Sequence, residues 1–331
     1  MDDNYRIFGS ELSPYSVKVR SYFRYKNIAH EWLLRGPANQ AEFQKHAKLP
    51  LIPLVVTPQG EGLQDSTPII EKMEEARPEP SIVPDDPVLA FLSALIEEYA
   101  DEWGNKWMFH YRWAYQPDCW ATAERIAVQM VGAQGPLAVA QARGAVAERM
   151  QGRLGFVGSS ETTTPVIEDS YRHTLAILEP HLATRPYLLG GRPSLADFGL
   201  WGQFYEAATD PTPGAILRRS SPKVQAWVER MVSPKAEAPF ESWSALEPTL
   251  MPLLKEQVGR LFLPWSAANE KALAAGEKSF EVTLAGSRWV QEPQKYHARS
   301  LKEIRAKYAA AKDTPDLGDV LQRADCLAWL R

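Results

Sequence analysis

Cysteine is nearly absent from this 331-residue chain, which holds only Cys119 and Cys326. The two stand far apart and form no Cys-x-x-Cys pair. That argues against a disulfide framework, a zinc site of the Cys-x-x-Cys type and a dithiol redox centre. Histidine is also scarce, at positions 30, 46, 110, 173, 181 and 297, with no i,i+4 pair and no His-Glu-x-x-His pattern. No metal is therefore expected. The sequence has no Gly-x-Ser-x-Gly elbow and no Walker loop. The glycines at 152, 155 and 158 follow no strand-like run and precede no Lys-Ser/Thr, so they read as a flexible loop. No apolar run approaches the ~18–20 residues of a membrane helix. The opening residues lack a basic stretch followed by an apolar one, so no signal peptide is read and a cytoplasmic location is expected. Neither sign of charge dominates: 37 basic and 41 acidic side chains leave a net charge of −4, a poor partner for nucleic acid. With 45% hydrophobic and 24% charged residues, the composition is that of a folded globular protein. At ~100–200 residues per domain, the length suggests two domains.

Residues 1–76 mix strand and helix signals. A short apolar strand at 5–8 ends at Gly9. Pro14 then opens a helix in which Tyr15, Val19, Tyr22, Phe23 and Lys26 share a face. A second strand is read at 32–34, a short helix at 39–46 and a compact strand at 54–56. Thr57-Pro58-Gln59-Gly60 has proline second and glycine fourth, which suits a type I turn leading a hairpin into 61–64. Ser66 precedes another helix that groups Ile69, Ile70 and Met73. The order β-α-β, short helix, β-β-α is that of a small α/β domain.

Four prolines in the eleven residues 77–87 cannot propagate a helix and read as an extended linker. From 88 to 232 the pattern is helical throughout, with helices expected at 88–115, 118–132, 137–150, 165–183, 195–208 and 222–231. Proline and glycine at 211–214 suggest a turn. Residues 233–331 form a third region. It has helical periodicity at 249–263, strand alternation at 280–284, a turn at Ala285-Gly286-Ser287 and a return strand at 288–292. An amphipathic helix then carries Tyr296, Leu301, Ile304 and Tyr308.

Three segments bear on chemistry. Ser13-Pro14-Tyr15-Ser16 lies between a strand and a helix, with proline suited to the first helical turn. A helix N-terminus offers free N–H groups and partial positive charge, and a hydroxyl beside it makes a plausible thiolate-binding spot. Ser13 is equally an ordinary N-cap. Leu51-Ile52-Pro53-Leu54 enters a strand. A cis Ile52–Pro53 bond would turn the backbone of Ile52 outward to pair with an extended peptide, whereas base rates favour a trans proline. Asp65-Ser66 immediately precedes a helix, where the pair suits a ligand's ammonium and carboxylate, or simply capping.

These three segments, in this order, resemble the glutathione transferase superfamily, over about residues 5–231. Ser13-Pro14-Tyr15-Ser16 is similar to the site of its serine-type and cysteine-type classes. Ile52-Pro53 resembles its Val-Pro pair, whose proline is cis. Asp65-Ser66 resembles the Glu-Ser pair that holds the γ-glutamyl end of glutathione. Gly191-Arg192-Pro193-Ser194-Leu195-Ala196-Asp197-Phe198 resembles the family's capping motif, and its Ser-x-x-Asp spacing is independently a capping box. Leu51 replaces a lysine common before Val-Pro, with Lys48 and Arg35 nearby as substitutes. Lys72 stands where these proteins often have an aromatic.

The resemblance implies an α/β thioredoxin-like N-terminal domain (1–76), a linker (77–87) and an all-α domain (88–232); the α+β extension (233–331), read from its own pattern, exceeds the usual family length. It implies a cytoplasmic homodimer that uses glutathione as co-substrate and a small apolar electrophile. Ser13 is then the catalytic donor to the thiol, with Ser10, Ser16 and Tyr5 as weaker candidates. Ile52, Pro53, Asp65 and Ser66 bind glutathione. Trp103, Trp107 and Tyr111, at i, i+4 and i+8, would wall the electrophile pocket or else pack in a core. Lacking cysteine at positions 13 and 16, the chain is not expected to run thiol–disulfide exchange. The alternatives are a non-catalytic binding module of the same fold, or a glutathione-dependent isomerase or ether-cleaving enzyme.

Overall fold

A computed structural model describes residues 4–331. The first domain holds β1 (Tyr5–Gly9), α1 (Pro14–Tyr25), β2 (His30–Leu34), α2 (Gln40–His46), β3 (Leu54–Val56), β4 (Gly62–Gln64) and α3 (Ser66–Ala76). Its sheet has the order β2-β1-β3-β4, with β2 parallel to β1 and the other two pairings antiparallel. Every element expected from the sequence is present, within a residue or two of its expected ends.

The register of this sheet decides what meets at its edge. Phe8, near the end of β1, pairs with Leu54 at the start of β3, and Leu54 pairs with Gln64 at the end of β4. Three chain segments therefore emerge at the same end of the sheet: Ser13 after β1, Ile52 before β3 and Asp65 after β4. Ile52 and Asp65, 39 and 52 positions after Ser13, come to its end of the sheet because two antiparallel pairings bring them there.

The second domain is helical: α4 (Pro87–Tyr99), α5 (Asn105–Ala114), α6 (Gln116–Val131), α7 (Pro136–Gln151), α8 (Thr164–His181), α9 (Leu195–Thr209), α10 (Pro211–Ser220) and α11 (Pro222–Arg230). A π-helical turn over Ala100–Gly104 joins α4 to α5. Segment 211–214, expected as a turn, instead opens α10. Its Pro211 and Pro213 occupy the first helical turn, where proline removes no helical hydrogen bond. The capping box forms as expected: Asp197 accepts from the Ser194 backbone N–H at 2.9 Å and from its hydroxyl at 2.8 Å. Asp197 also accepts from the Leu188 N–H and the Trp227 indole, so this buried carboxylate ties two further segments to the start of α9. Burial pushes its pKa up to about 6.

The two domains meet through α1, which packs on α3 and α9. Gly202 of α9 permits the contact, since a Cβ there would lie 2.7 Å from the Pro14 carbonyl oxygen at the start of α1. The extension comprises α12 (Trp243–Pro252), a π-helical stretch Leu253–Phe262, α13 (Leu263–Ala275), the hairpin β5 (Phe280–Leu284) and β6 (Ser287–Gln291), α14 (Lys295–Ala311), α15 (Leu317–Arg323) and α16 (Leu327–Leu330). The hairpin forms where alternation placed it. Ala285 (φ 50°) and Gly286 (φ 79°) make the two-residue turn that antiparallel strands favour. The extension shares one hydrophobic core with the helical domain through Leu253, Phe262, Trp265, Leu301 and Ile304. Among the described residues, no helix is long and apolar enough to cross a membrane.

Candidate functional site

Ser13 is the N-cap of α1, with extended backbone and Pro14 in the first turn. Its hydroxyl oxygen accepts a long hydrogen bond from the Ser16 N–H at 3.3 Å, which leaves its own O–H proton free to donate. The β1–α1 loop is fixed from both sides. Leu12 donates its N–H to Ser10 Oγ at 3.1 Å, and Arg112 of α5 donates to the Leu12 carbonyl at 3.1 Å. Arg112 is buried and anchored by Glu206 at 2.8 Å and Asp210 at 2.7 Å, so the loop before Ser13 hangs on an ion-pair network of the helical domain. Of the other hydroxyl candidates, Ser16 is fully buried with an unpartnered Oγ, and Tyr5 packs edge-on against Phe23. Ser10 and Ser13 line the same cavity.

The Ile52–Pro53 peptide is cis. Among the described residues, neither backbone group of Ile52 has a hydrogen-bond partner. That pair of groups is free for an extended ligand lying along the sheet end. Arg35, a substitute for the missing lysine, lies over the Phe43 ring and donates to the Pro50 carbonyl at 2.8 Å, on the rim of the same cavity.

Asp65 is held at φ 76°, ψ 125°, a strained conformation for a residue with a side chain. Such backbone costs roughly 1–3 kcal/mol and persists where the surroundings impose it. Its carboxylate makes no capping bond to α3 and points to another use. It accepts only a long contact from the Tyr296 hydroxyl, at 3.4 Å. Beneath it, Lys18 of α1 is fully buried and donates to Ser66 Oγ at 3.4 Å, Thr67 Oγ1 at 3.1 Å and Asp101 Oδ2 at 2.7 Å, and also to Glu97. Two carboxylates sharing one ammonium keep Lys18 protonated, while burial and the nearby Glu97 push Asp101 up to about 7. This network braces the start of α3 from below. The sequence reading missed it, although Lys18 stands in the middle of the face formed by Tyr15, Val19 and Tyr22, and Glu97, Asp101 and Glu102 form an acidic run.

Trp103, Trp107 and Tyr111 do not wall the cleft. All three are at most 1% exposed. Both indole N–H groups donate to Ser170 Oγ, at 2.8 and 3.0 Å, and Tyr111 packs on Tyr171. They form the helical core, which was the other side of the sequence expectation. Helical spacing groups residues on a face without saying which neighbour that face meets, and the π turn that includes Trp103 shifts the phase as well. The cavity beside Ser13, about 810 Å³, is walled instead by Met108, Phe109 and Trp113 of α5, Ile126 and Met130 of α6, and Met150 of α7. Phe109 and Trp113 were legible as a second i, i+4 pair on the same segment.

Cys119 lies in α6 and packs behind the cavity wall with Trp113, and Cys326 immediately precedes α16; both are buried and free, and neither lines the cavity.

Comparison with known proteins agrees with this layout. A family model described as the glutathione S-transferase N-terminal domain matches residues 7–81, and one described as the C-terminal domain matches residues 140–230. No curated protein matches the chain. Among solved structures, a glutathione S-transferase of Methylobacterium radiotolerans, in complex with glutathione sulfonate, is 18% identical with a TM-score of 0.41. It covers 72% of this chain and 96% of its own. The β-etherase LigF of Sphingobium sp. is 18% identical with a TM-score of 0.43, covering 69% of this chain and 94% of its own. A glutathione S-transferase of Rhodospirillum rubrum is 16% identical with a TM-score of 0.42, covering 89% and 99%. The two domain models match in order, together span half of the chain, and fall on the sheet domain and the helical domain; the chain belongs to the glutathione S-transferase superfamily.

Proposed function

We propose that the protein is a glutathione-dependent transferase in which Ser13 activates the glutathione thiol for attack on an apolar electrophile. The observation that carries this reading is the single end of the first sheet at which Ser13, the unpaired backbone of Ile52 and the strained Asp65 meet. An extended tripeptide along that edge has its thiol at Ser13, its middle backbone on Ile52 and its γ-glutamyl end at Asp65 and Ser66.

A free thiol of pKa ~8.5 is only about 3% ionised at pH 7. A drop of about two units makes most of it thiolate and needs ~2.7 kcal/mol of preferential stabilisation. One hydrogen bond to a charged sulfur, together with the N-terminus of α1, is of that size. Ser13 then serves as a donor to sulfur and never as a nucleophile. The thiolate attacks an electrophile held in the adjoining cavity, where proximity and thiol activation supply the rate. The walls are mostly apolar, with Arg35 and Arg149 among the lining residues, and include three methionines, whose unbranched, polarisable side chains adapt to differently shaped rings. Ether cleavage and isomerisation use the same thiolate step and differ only in the electrophile. The homodimer and the cytoplasmic location stand as part of this proposal.

The test is a conjugation assay with an aromatic halide, together with glutathione-affinity retention, on wild type and Ser13→Ala. Wild type is expected to be retained and active, and Ser13→Ala to be retained and nearly inactive. Equal turnover by the two proteins would refute the role of Ser13. Neither retention nor turnover in wild type would favour the non-catalytic module.

A further inference from the structure

The extension reaches the glutathione cleft through α14. This helix has two stripes. Leu301, Ile304 and Tyr308 enter the shared core, and Tyr308 packs on Phe91 of α4. Tyr296, Arg299, Ser300, Glu303 and Lys307, at i, i+3, i+4, i+7 and i+11, line a cavity of about 160 Å³. The opposite wall is the start of α3, with Asp65 and Thr67, and the acidic end of α4.

Among the described residues, Arg299 is the one base lining this cavity without an ion pair, and Asp65, Glu98 and Glu303 are acids without a cationic partner. Lys307 is taken by Glu71 at 2.6 Å, Asp101 by Lys18 and Glu102 by His297, while Glu98 accepts from the Ser300 hydroxyl. Asp65 keeps only its long contact with the Tyr296 hydroxyl. Arg299 makes no ion pair or hydrogen bond among the described residues, although it is close enough for its charge to favour the ionised form of Asp65. Beside the N-terminus of α3 the cavity thus presents the Asp65 carboxylate and the one unpaired guanidinium, that of Arg299. A bare cation would leave Arg299 idle, and a bare anion would meet the acids of α4. A group carrying ammonium and carboxylate on one carbon satisfies both: the ammonium at Asp65, the carboxylate at Arg299 and the first N–H groups of α3.

We infer that α14 of the C-terminal extension completes the glutathione site in the same chain, Arg299 binding the α-carboxylate of the γ-glutamyl group and Tyr296 holding Asp65 for its ammonium. The inference rests on the glutathione reading above and gives the extension a task in selecting γ-glutamyl thiols.

The experiment measures binding by calorimetry for two thiols: glutathione, and 4-aminobutyryl-cysteinylglycine, which keeps the amine and lacks the α-carboxylate. Wild type is expected to bind the analogue about tenfold more weakly than glutathione. Arg299→Met should weaken glutathione about tenfold and leave the analogue unchanged, and Arg299→Lys should recover part of the loss. Arg299 is exposed, so its replacement leaves the fold intact. An equal loss for both thiols, or no loss for either, would overturn the role of Arg299. Failure of wild type to bind glutathione at all would overturn the underlying reading instead, and this inference with it.

Discussion

At the α1 end of the cleft, Ser13 shares a wide cavity with Met108, Phe109 and Trp113. At the α3 end, Asp65 shares a small one with Asp101, Tyr296 and Arg299. The first end is mostly apolar and roomy, built from the sheet domain and helices α5 to α7. The second is rich in charged side chains and closed by a helix from outside both matched domains. On the proposed reading, the difference follows from what each end recognises. A thiolate and a varied electrophile need one donor and adaptable walls. A zwitterionic group of fixed shape needs opposite charges at fixed positions, and those are costly to hold unless the surrounding charges are matched.

The largest effect is expected from Ser13→Ala, which should lower kcat about 100-fold, equivalent to ~2.7 kcal/mol, while the KM for glutathione changes little. Initial-rate kinetics at saturating electrophile measure this split. A rise in KM without loss of kcat would mean that Ser13 belongs to binding, and the contrast between the two ends would fail.

Asp65→Asn should act in the opposite manner. Asparagine tolerates the positive φ and keeps the shape, so the fold survives. Loss of the charge is expected to raise the KM for glutathione about tenfold at nearly constant kcat. The pH dependence sharpens the point. Burial raises the pKa of Asp65 above the ordinary carboxylate value. Only the ionised form attracts an ammonium, so the wild-type KM should climb as pH falls through that raised pKa. The KM of Asp65→Asn should stay flat over the same range. Parallel pH profiles for the two proteins would remove Asp65 from the ammonium site.

Within α5 the two faces of one helix separate function from folding. Phe109→Ala should change the KM for the electrophile about fivefold and leave the glutathione KM alone, because only that face lines the cavity. Trp107→Phe should leave both KM values alone and lower Tm, because it removes a buried indole donor from Ser170. The reverse pattern would restore Trp107 to the pocket.

These contrasts also explain which parts of the molecule were legible in the sequence. The first sheet was readable because its strands are short, apolar and punctuated by Gly9, Pro53 and the 57–60 turn. The placement of Ser13, Ile52 and Asp65 beside the strand ends was readable because each stands at such a boundary. The helix α10 was not, since Pro211, Pro213 and Gly214 carry the same signal at a helix start as in a turn. The face of α5 that meets the cleft was not readable either, because periodicity specifies a stripe and tertiary packing chooses its partner. Lys18 and Arg112 were missed for a related reason: a lone charge in a helix reads as solvated, and here each is buried by carboxylates from helices more than 75 residues away. Tyr296 was placed correctly on an amphipathic helix, yet nothing local says that this helix returns to Asp65, 231 residues earlier in the chain.

The smallest effect on turnover, and a test of how the α3 end is fastened, comes from Lys106. This α5 residue is fully buried where the helical domain meets the extension. Its ammonium lies 3.6 Å from the Trp265 ring centroid and 5.6 Å from those of Trp103 and Trp289. Its hydrogen-bond partner is the Val157 carbonyl, at 3.2 Å. Burial lowers its pKa to about 7. The unfolded chain keeps the ordinary lysine value of ~10.4, so between about pH 7 and 10 the unfolded state binds the extra proton and stability rises with pH. Below about pH 7 both states are charged, and the full cost of the buried ammonium remains, offset in part by the indole faces. Lys106→Met should therefore be more stable than wild type at pH 6, by about 1–3 kcal/mol, with the advantage shrinking toward pH 10. Denaturant titrations of both proteins at several pH values measure this. Activity at pH 7 should be unchanged, since Lys106 lies in neither cavity. If wild type proved the more stable at pH 6, the indole box would outweigh burial, and the extension would be fastened by a charge rather than in spite of one.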